Sequence, residues 1–394
     1  MCITKNKSGN KSCGRRIIMK NGKKIWAVML STAMMFSLAA CSSGKGEADG
    51  SKPAVEGENT QEAAKEAVDE KAQEPVSEET AEKAGGMKIG YISPGPDTWY
   101  LRAEEGAKWA CEKAGAEFLS VNSNRDSEQE QTNIDYLIDE GVDCIVILSW
   151  NEAGCVAAAE KCKEAGIGCV VFDACGAMQN HDVDITASVD FDWQSMGGIY
   201  VDWMNATYPG EDYVFISGTV DSVVCQTVEA SLKEATEKAG KMKCADIRYG
   251  DYEPEKAANE VEDLVNSGLD FSVIGVINED CAAAIITRLE DLNVADKYHV
   301  FAQNGSEVGA QLMKDGSLEF TIASSPGLEG AVAVFAGIDG VKNGKEPNQL
   351  IACPIASVTP DLADDPEAII SWSVDEEAWG AIIRESFSDY AVFF

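Results

Sequence analysis

The stretch CIVILSWNEAGCVAAAEKCKEAGIGCVVFD, residues 144–173, decides the fold. It contains an apolar run at 144–148 and a second at 169–172, and each run is followed by a polar residue. Between the two runs, residues 152–165 have apolar side chains at helical spacing, and Gly166 follows as a helix stop. A strand, a helix and a second strand in this order predict a parallel sheet that is covered by helices.

The same alternation continues along the chain from Lys88. Strands are predicted at Lys88–Ser93, Glu117–Asn122, Cys144–Leu148, Cys169–Asp173, Ile185–Val189, Tyr213–Ser217, Lys243–Tyr249, Val273–Ile277, His299–Gln303 and Thr321–Ser324. Helices are predicted at Trp99–Ala114, Ser127–Glu140, Glu152–Ala165, Asp192–Tyr208, Ser222–Ala239, Glu253–Ser267, Asp280–Leu292, Ser306–Asp315 and Leu328–Val341. Such alternation is typical of α/β proteins.

A weak internal repeat divides this pattern in two. The tetrapeptide EKAG at 112–115 recurs at 237–240, and LIDEGVD at 137–143 is echoed by LVNSGLD at 264–270. The offsets, 125 and 127 residues, are nearly equal. The sequence therefore predicts two Rossmann-like lobes, each a parallel sheet flanked by helices, with a ligand cleft between them.

The predicted boundaries follow from this division. Residues 87–191 plus 326–357 are assigned to the N-terminal lobe, and residues 192–325 plus 358–394 to the C-terminal lobe. The C-terminal lobe would include an extra tail from Asp361, with an amphipathic helix at Asp375–Phe387. We expect this tail to pack on the second lobe near the hinge.

The amino terminus has the features of an export signal. Lys20, Lys23 and Lys24 precede an apolar stretch, and Leu38-Ala39-Ala40-Cys41 resembles a bacterial lipobox. Residues 1–40 are therefore predicted to be a lipoprotein signal peptide, with Met19 as an alternative start, and Cys41 is the expected site of lipidation. Residues 41–86 contain no aromatic residue and predict a disordered linker. The folded part would lie at the outer face of a bacterial cell membrane.

Charge and residue counts exclude several classes of partner. Residues 1–40 have eight basic and no acidic side chains, so their removal changes the formal net charge from −35 to −43. A chain this acidic is repelled by nucleic acid and by anionic lipid, which leaves the lipid anchor as the expected membrane contact. With two histidines and no cysteine pair at metal-site spacing, we expect no metal and no cofactor. The protein is expected to be a monomer.

Candidate binding residues follow the predicted strands. In open α/β sheets, ligands bind beyond the carboxyl ends of the strands, where the loops of both lobes would meet. The candidates in these loops are Asp97, Trp99, Tyr100, Trp150, Asp173, Tyr252, Asn278, Asn304 and Ser324. Hydrogen-bonding groups mixed with aromatic faces suit a polyol, whose hydroxyls and C–H surfaces need both.

Several ordered segments resemble type I periplasmic sugar-binding proteins, in particular the ribose- and galactose-binding group that feeds ABC importers. These segments are Ser93 to Tyr100, VVFD at 170–173, NED at 278–280, QNG at 303–305, and DGSL at 315–318 with TIA at 321–323. The similarity runs from about residue 87 to about residue 358. It implies a small-molecule ligand, a sugar or polyol, enclosed by hinge closure, and an ABC permease as partner.

The resemblance also implies roles for single residues. Trp99 and Tyr100 would stack on the ligand beside Asp97, and Asp173 would accept a sugar hydroxyl. Tyr252 would be the aromatic residue of the second lobe and Asn278 a donor. Asn304 stands where the family usually has aspartate. Ser324 stands where the family often has glutamine.

Two arginines of the family's pocket are absent. Ala174 stands where one is common, and no arginine lies near residues 226–231. Lacking these planar donors, the pocket is not expected to hold ribose by the usual charge-assisted bonds. The alternatives for the ligand are a monosaccharide, a related polyol and a non-sugar such as a cationic metabolite.

No catalytic motif accompanies these residues. The sequence contains no Gly-x-Ser-x-Gly elbow, no phosphate-binding Gly-x-x-x-x-Gly-Lys loop and no histidine constellation. We therefore expect a binding protein and not an enzyme. A ligand-sensing co-receptor for a chemotaxis or two-component system would have the same folded sequence, so that alternative stays open beside the importer.

Overall fold

The computed structural model describes residues 86–149, 151–173, 178, 183–344, 347–363, 365 and 368–394. Its strands are β1 (Lys88–Ser93), β2 (Glu117–Asn122), β3 (Cys144–Ile147), β4 (Gly168–Phe172), β5 (Ala187–Phe191), β6 (Tyr213–Ser217), β7 (Cys244–Tyr249), β8 (Val273–Val276), β9 (His299–Asn304), β10 (Phe320–Ala323), β11 (Gln349–Cys353) and β12 (Ala356–Val358). Its helices are α1 (Thr98–Ala114), α2 (Ser127–Asp139), α3 (Glu152–Ala165), α4 (Trp193–Thr207), α5 (Val223–Ala239), α6 (Pro254–Ser267), α7 (Glu279–Asp291), α8 (Glu307–Lys314), α9 (Pro326–Asn343) and α10 (Glu376–Ser386). Short 3₁₀ helices span Ala295–Lys297, Pro360–Leu362 and Ser388–Phe393.

The strands form two six-stranded sheets. The first has the order β11-β5-β4-β3-β1-β2 and is parallel throughout, and the second has the order β12-β10-β9-β8-β6-β7. Only β12 is antiparallel, to β10. Apart from β11 and β12, the five strands of each sheet follow one order, as the internal repeat predicts, and the predicted α/β fold with two lobes is confirmed. We call the lobes around these sheets the first and the second lobe.

The last strands of the two sheets were not predicted. Gln349–Cys353 and Ala356–Val358 extend one sheet each, at its edge. Both strands are short, and three of the five residues in β11 are exposed, so neither has the apolar run by which the other strands were recognised. The chain passes between the sheets after β5, after β10 and after β11.

Local signals fix the helix ends that border the sheets. The Asp126 side chain caps α2 by accepting from the N–H groups of Glu128 and Gln129. Asn151 caps α3 in the same way through the N–H of Gly154. At the other end of α3, Gly166 takes φ +72° and closes the helix. These caps hold the strand-end loops in place.

Helices α1 and α9 are in backbone contact. A Cβ atom at Gly106 would lie 1.8 Å from the Gly327 carbonyl oxygen, and one at Gly330 would lie 2.1 Å from that of Ala103. Most of α9 is buried. The glycines therefore let two helices of the first lobe approach more closely than any side chain would allow.

From Glu376 onward the carboxyl-terminal tail contacts the first lobe, contrary to the expectation that it packs on the second. Trp379 lies 5.5 Å from Trp109 of α1 between ring centroids, and Phe393 stacks on Phe335 of α9 at 4.7 Å. Lys113 of α1 pairs with Glu376. Trp109 and Phe335 present aromatic surface that α10 and the last residues cover. The assignment of residues 358–394 to the second lobe is thus wrong for the part from Glu376 onward.

One acidic side chain, Glu130, is buried inside the first lobe. Glu130 of α2 is fully buried, and its Oε1 accepts a hydrogen bond from Ser149 Oγ at 3.1 Å. Gly154 leaves room for this pair, since a Cβ there would lie 2.1 Å from Glu130 Oε1. Burial raises the pKa of Glu130 to about 7, although the Ser149 hydrogen bond opposes the shift.

Two further features of the described residues concern the cysteines and the length of the helices. Nine cysteines are free, and eight of these are buried, as expected for small apolar side chains. Within the described ranges, none of the helices combines the length and the apolar composition needed to cross a bilayer.

We predict that Gly106→Ala destabilises the fold by about 2 kcal/mol or more, because the new methyl group would force α1 and α9 apart. Urea unfolding measures this free energy. Gly198→Ala in α4 is the matched control, since a Cβ there meets nothing within 4 Å. We expect the control to be neutral or about 1 kcal/mol more stable, because alanine favours helices. Equal stability of the two variants would contradict the close helix contact.

We predict that Glu130 makes the stability depend on pH. Its pKa is higher in the folded than in the unfolded chain, so its contribution is fully present below the unfolded value near 4.5 and is lost as pH rises through about 7. The free energy of unfolding of Glu130→Gln, measured relative to that of the unmodified chain, should therefore be about 3 kcal/mol higher at about pH 9 than at about pH 4. Urea unfolding at both pH values tests this. Glu128→Gln, an exposed change on the same helix, should show almost no such difference, and a pH-independent effect of Glu130→Gln would refute the prediction.

Candidate functional site

One cavity of about 770 Å³ is lined by residues of both lobes. The first lobe contributes Pro96 to Tyr100, Arg125, Leu148, Ser149 and Asp173. The second lobe contributes Thr219, Asp221 to Val224, Tyr252, Pro254, Ile277, Asn278, Asp280, Gln303 and Asn304. Trp193, at the start of α4, and Trp372, in the tail, complete the wall. The wall is built mainly of loops that follow the carboxyl ends of strands, as predicted.

Trp99 and Asp173 are joined across the first lobe. Trp99 Nε1 donates to Asp173 Oδ2 at 2.8 Å, although the residues are 74 positions apart. Asp173 is 8 % exposed and takes a left-handed φ of 55° directly after β4. A non-glycine residue in this conformation is uncommon, and such residues are concentrated at functional sites. The turn and the hydrogen bond together place one carboxyl group at the cavity wall.

Asp97 and Tyr100 meet a base that the sequence analysis did not identify. Arg125 Nη2 lies 2.6 Å from Asp97 Oδ2. Burial raises the pKa of Tyr100 to about 12, and the Arg125 guanidinium opposes this shift. Arg125 follows β2 at the same edge of the sheet, so the strand-end rule could have found it. Its charge is shared between a carboxylate and a phenol.

Tyr252 occupies space left by a glycine. A Cβ at Gly218 would lie 2.3 Å from Tyr252 Cζ, so only glycine fits beside the ring. The Tyr252 hydroxyl lies 3.0 Å from Cys225 Sγ and 3.3 Å from Ser222 Oγ. Burial, followed by the neighbouring Cys225, raises the pKa of Tyr252 well above its usual range. The side chain therefore presents a neutral aromatic ring to the cavity.

Asn278 and Asn304 are tied to the backbone of the second lobe. Asn278 Oδ1 accepts from the Cys281 N–H at 2.9 Å and so caps α7, which leaves the amide N–H groups as its donors to a ligand. Asn304 ends β9 with a φ of 128°. Its carbonyl oxygen accepts from Trp372 Nε1 at 3.2 Å. Both asparagines line the cavity.

Ser324 is not part of the cavity wall. It is 1 % exposed, and its carbonyl oxygen accepts from Trp372 Nε1 at 2.8 Å. The indole of Trp372 lines the cavity at this position instead. Trp372 lies beyond the segments used for the family resemblance, so the sequence offered no signal for it. Trp193 is likewise absent from the predicted site residues, because its local sequence predicts only the start of a helix.

Three buried carboxyl groups lie together behind the wall. Oxygens of Asp173, Asp190 and Glu329 are within 4.8 Å of one another. Asp190 Oδ1 accepts from the Phe191 N–H at 2.8 Å and from Trp193 Nε1. By contrast, among the described residues no donor in ordinary hydrogen-bond geometry reaches Asp173 Oδ1 or either oxygen of Glu329. Burial, with the nearby acids, raises the pKa of Asp173 and of Glu329 well above the usual range.

Seven of the nine predicted binding residues therefore converge on one space. They are Asp97, Trp99, Tyr100, Asp173, Tyr252, Asn278 and Asn304. Trp150 and the predicted lipidation site Cys41 lie outside the described residues. The wall combines aromatic rings with carboxyl, hydroxyl and amide groups, which can hold a small polar molecule by stacking and hydrogen bonding.

Comparisons with known proteins place this geometry in a family. The family model described as "Periplasmic binding protein domain" matches residues 89–346. A ribose import binding protein of Bacillus subtilis is 20% identical over 258 residues, which cover 65% of this chain and 82% of the relative. A galactofuranose-binding protein of Escherichia coli is 21% identical over 293 residues, covering 72% and 91%.

Solved structures have the same fold. A galactofuranose binding protein superimposes with a TM-score of 0.63 at 20% identity, covering 71% of this chain and 96% of that one. An ABC transporter solute binding protein from Bacillus halodurans with bound myo-inositol gives 0.65 at 18% identity, covering 72% and 98%. The family model spans most of the folded part, and the two lobes with a cavity between them agree with it. The chain therefore belongs to the periplasmic binding protein family, in its type I form.

Proposed function

We propose that this protein is the substrate-binding component of an ABC importer and that it binds a monosaccharide or a related polyol between its lobes. The observation that supports this most directly is the cavity itself. Trp99 and Asp173 of the first lobe face the same space as Tyr252 and Asn278 of the second. A ligand there would contact both lobes at once.

The chemistry of the wall suits a polyhydroxylated molecule. Trp99, Tyr100 and Tyr252 offer aromatic faces, and Asp173 and Asn278 offer an acceptor and a donor for hydroxyl groups. The relatives support the same class of ligand. Their names refer to ribose, xylose and galactofuranose, and structural neighbours hold D-arabinose and myo-inositol.

Binding would act through closure of the lobes. The chain connects the two sheets by three short segments, after β5, after β10 and after β11. Contacts from both lobes to one ligand stabilise the closed arrangement relative to the open one. The closed form would then deliver the ligand, chemically unchanged, to the permease.

We predict that a sugar or polyol raises the melting temperature of the full chain, because it binds the folded form alone. Trp99→Ala should weaken the affinity for that ligand about 30-fold, close to 2 kcal/mol, through loss of the stacking face and of the Asp173 hydrogen bond. Isothermal titration calorimetry measures the dissociation constants of the unmodified chain and of Trp99→Ala. Tyr136→Ala, an exposed aromatic on α2 outside the cavity wall, is the control and should bind like the unmodified chain.

Two results would contradict this proposal in different ways. Unchanged affinity of Trp99→Ala would show that the cavity is not the binding site. A broad set of sugars and polyols that leaves the melting temperature unchanged would instead show that the class of ligand is wrong.

We also propose that the protein is exported and held at the outer face of the membrane by a lipid on Cys41. The lipobox-like sequence at 38–41 and the preceding apolar stretch support this. A diacylglyceryl group has two acyl chains, the number that stable anchoring needs.

For the anchor, Cys41→Ser is expected to move the full chain, expressed in a bacterial host, from the detergent phase to the aqueous phase in Triton X-114 partitioning. Cys13→Ser, outside the lipobox-like sequence, should leave it in the detergent phase. Detergent-phase partitioning of Cys41→Ser would rule out lipidation at this position.

A further inference from the structure

The charged groups that line the cavity are mainly acidic. Asp97, Asp173, Asp221 and Asp280 are carboxyl groups of the wall, and among the described residues of the wall Arg125 is the one base. Arg125 is already paired with Asp97 at 2.6 Å. The remaining three acids therefore face the cavity without a basic partner in its wall.

The excess of acidic groups is greatest around Asp173. It is 8 % exposed, and Asp190 and Glu329, at 6 % and 0 %, place their oxygens within 4.8 Å of its own. Two indole N–H groups and one backbone N–H reach Asp173 and Asp190, but in the part of the chain that the structure describes no such donor reaches Asp173 Oδ1 or either Glu329 oxygen. Burial without balancing charge is costly for an ionised carboxyl group. Of the three groups, only Asp173 lies at the cavity wall, so a cation from the cavity would meet Asp173.

Aromatic rings line the part of the wall that holds this carboxyl group. Trp99 donates to Asp173, and the rings of Trp99 and Trp372 lie edge to face with centroids 5.2 Å apart. Trp193, which donates to Asp190, and Tyr100 line the wall as well. Indole and phenol faces attract cations through their ring quadrupoles. An acidic group inside an aromatic enclosure is the environment that an ammonium group prefers.

We propose that the ligand of this cavity carries a protonated amine in addition to hydroxyl groups, so that an amino sugar or a similar polyhydroxylated amine binds with its ammonium group at Asp173. This rests on the proposed function, because it takes the cavity to be the site of sugar or polyol binding. Hydroxyl groups would meet the polar second-lobe residues Asn278 and Asn304, as a neutral sugar would. The amine adds the positive charge that the wall lacks. It would also oppose the effect of burial and of Asp190, which raise the pKa of Asp173.

Matched ligands test this on the unmodified full chain. Glucosamine, galactosamine and mannosamine are each compared by calorimetry with the neutral parent hexose and with the N-acetylated form, which keeps the nitrogen but not the charge. We expect at least one free amine to bind about tenfold or more tightly than both neutral counterparts. Asp173→Asn should reduce this preference below about threefold. Asp270→Asn, which removes an exposed carboxylate outside the cavity wall, should leave it unchanged.

The outcomes separate the inference from the proposed function. Neutral hexoses that bind as tightly as their amines would overturn the inference and leave sugar binding intact. No binding by any member of the set would overturn the inference, and the proposed function would fall as well only if pentoses and polyols also left the melting temperature unchanged. A melting temperature raised by Ca²⁺ alone, with loss of the amine preference, would assign the carboxyl groups to a metal ion and also overturn the inference. Because Asp173→Asn is a buried change, its fold is checked by circular dichroism, and the ligand comparison on the unmodified chain decides the matter if it does not fold.

Discussion

Indole N–H groups hold two of the buried carboxyl groups at the base of the cavity. Trp99 donates to Asp173, and Trp193 donates to Asp190. An indole has its donor on one edge and two apolar faces, so the residues that satisfy the carboxyl groups also form the lining of the cavity. The strand-end turn at Asp173, the first loop and the start of α4 are therefore mutually dependent. Removing Trp99 would take from Asp173 its indole donor, and removing Trp193 would leave Asp190 with fewer donors.

The repeated part of the fold follows from the sequence because local signals and burial agree there. Buried parallel strands such as β3 and β4 are continuous apolar runs, and capped amphipathic helices lie between them. The predicted strands and helices agree with the observed ones to within two residues at their ends. The short edge strands β11 and β12 lack that signal, since their pairing depends on partners distant in the chain.

The site was predictable to the extent that it lies at strand ends. Asp173, Asn278 and Asn304 were found in this way, whereas Arg125 was overlooked although it satisfies the same rule. Trp372 reaches the wall from the tail, and nothing in its local sequence indicates that it lies beside the cavity. Ser324 was misplaced for the same reason, because Trp372 takes its position at the wall. Identities near 20% to named sugar-binding proteins support the fold, and the charges of the cavity wall are read from this chain's own residues.

The tail links the two lobes by a route separate from the three strand connections. Trp372 donates to carbonyl oxygens of Asn304 and Ser324 in the second lobe, and the helix from Glu376 is attached to α1 and α9 in the first. Four peptide steps separate Trp372 from Glu376, and a fully extended chain of that length spans about 14 Å. While the indole keeps its two carbonyl partners, this contour length limits how far Asn304 and Ser324 can move from the start of α10, which is attached to the first lobe.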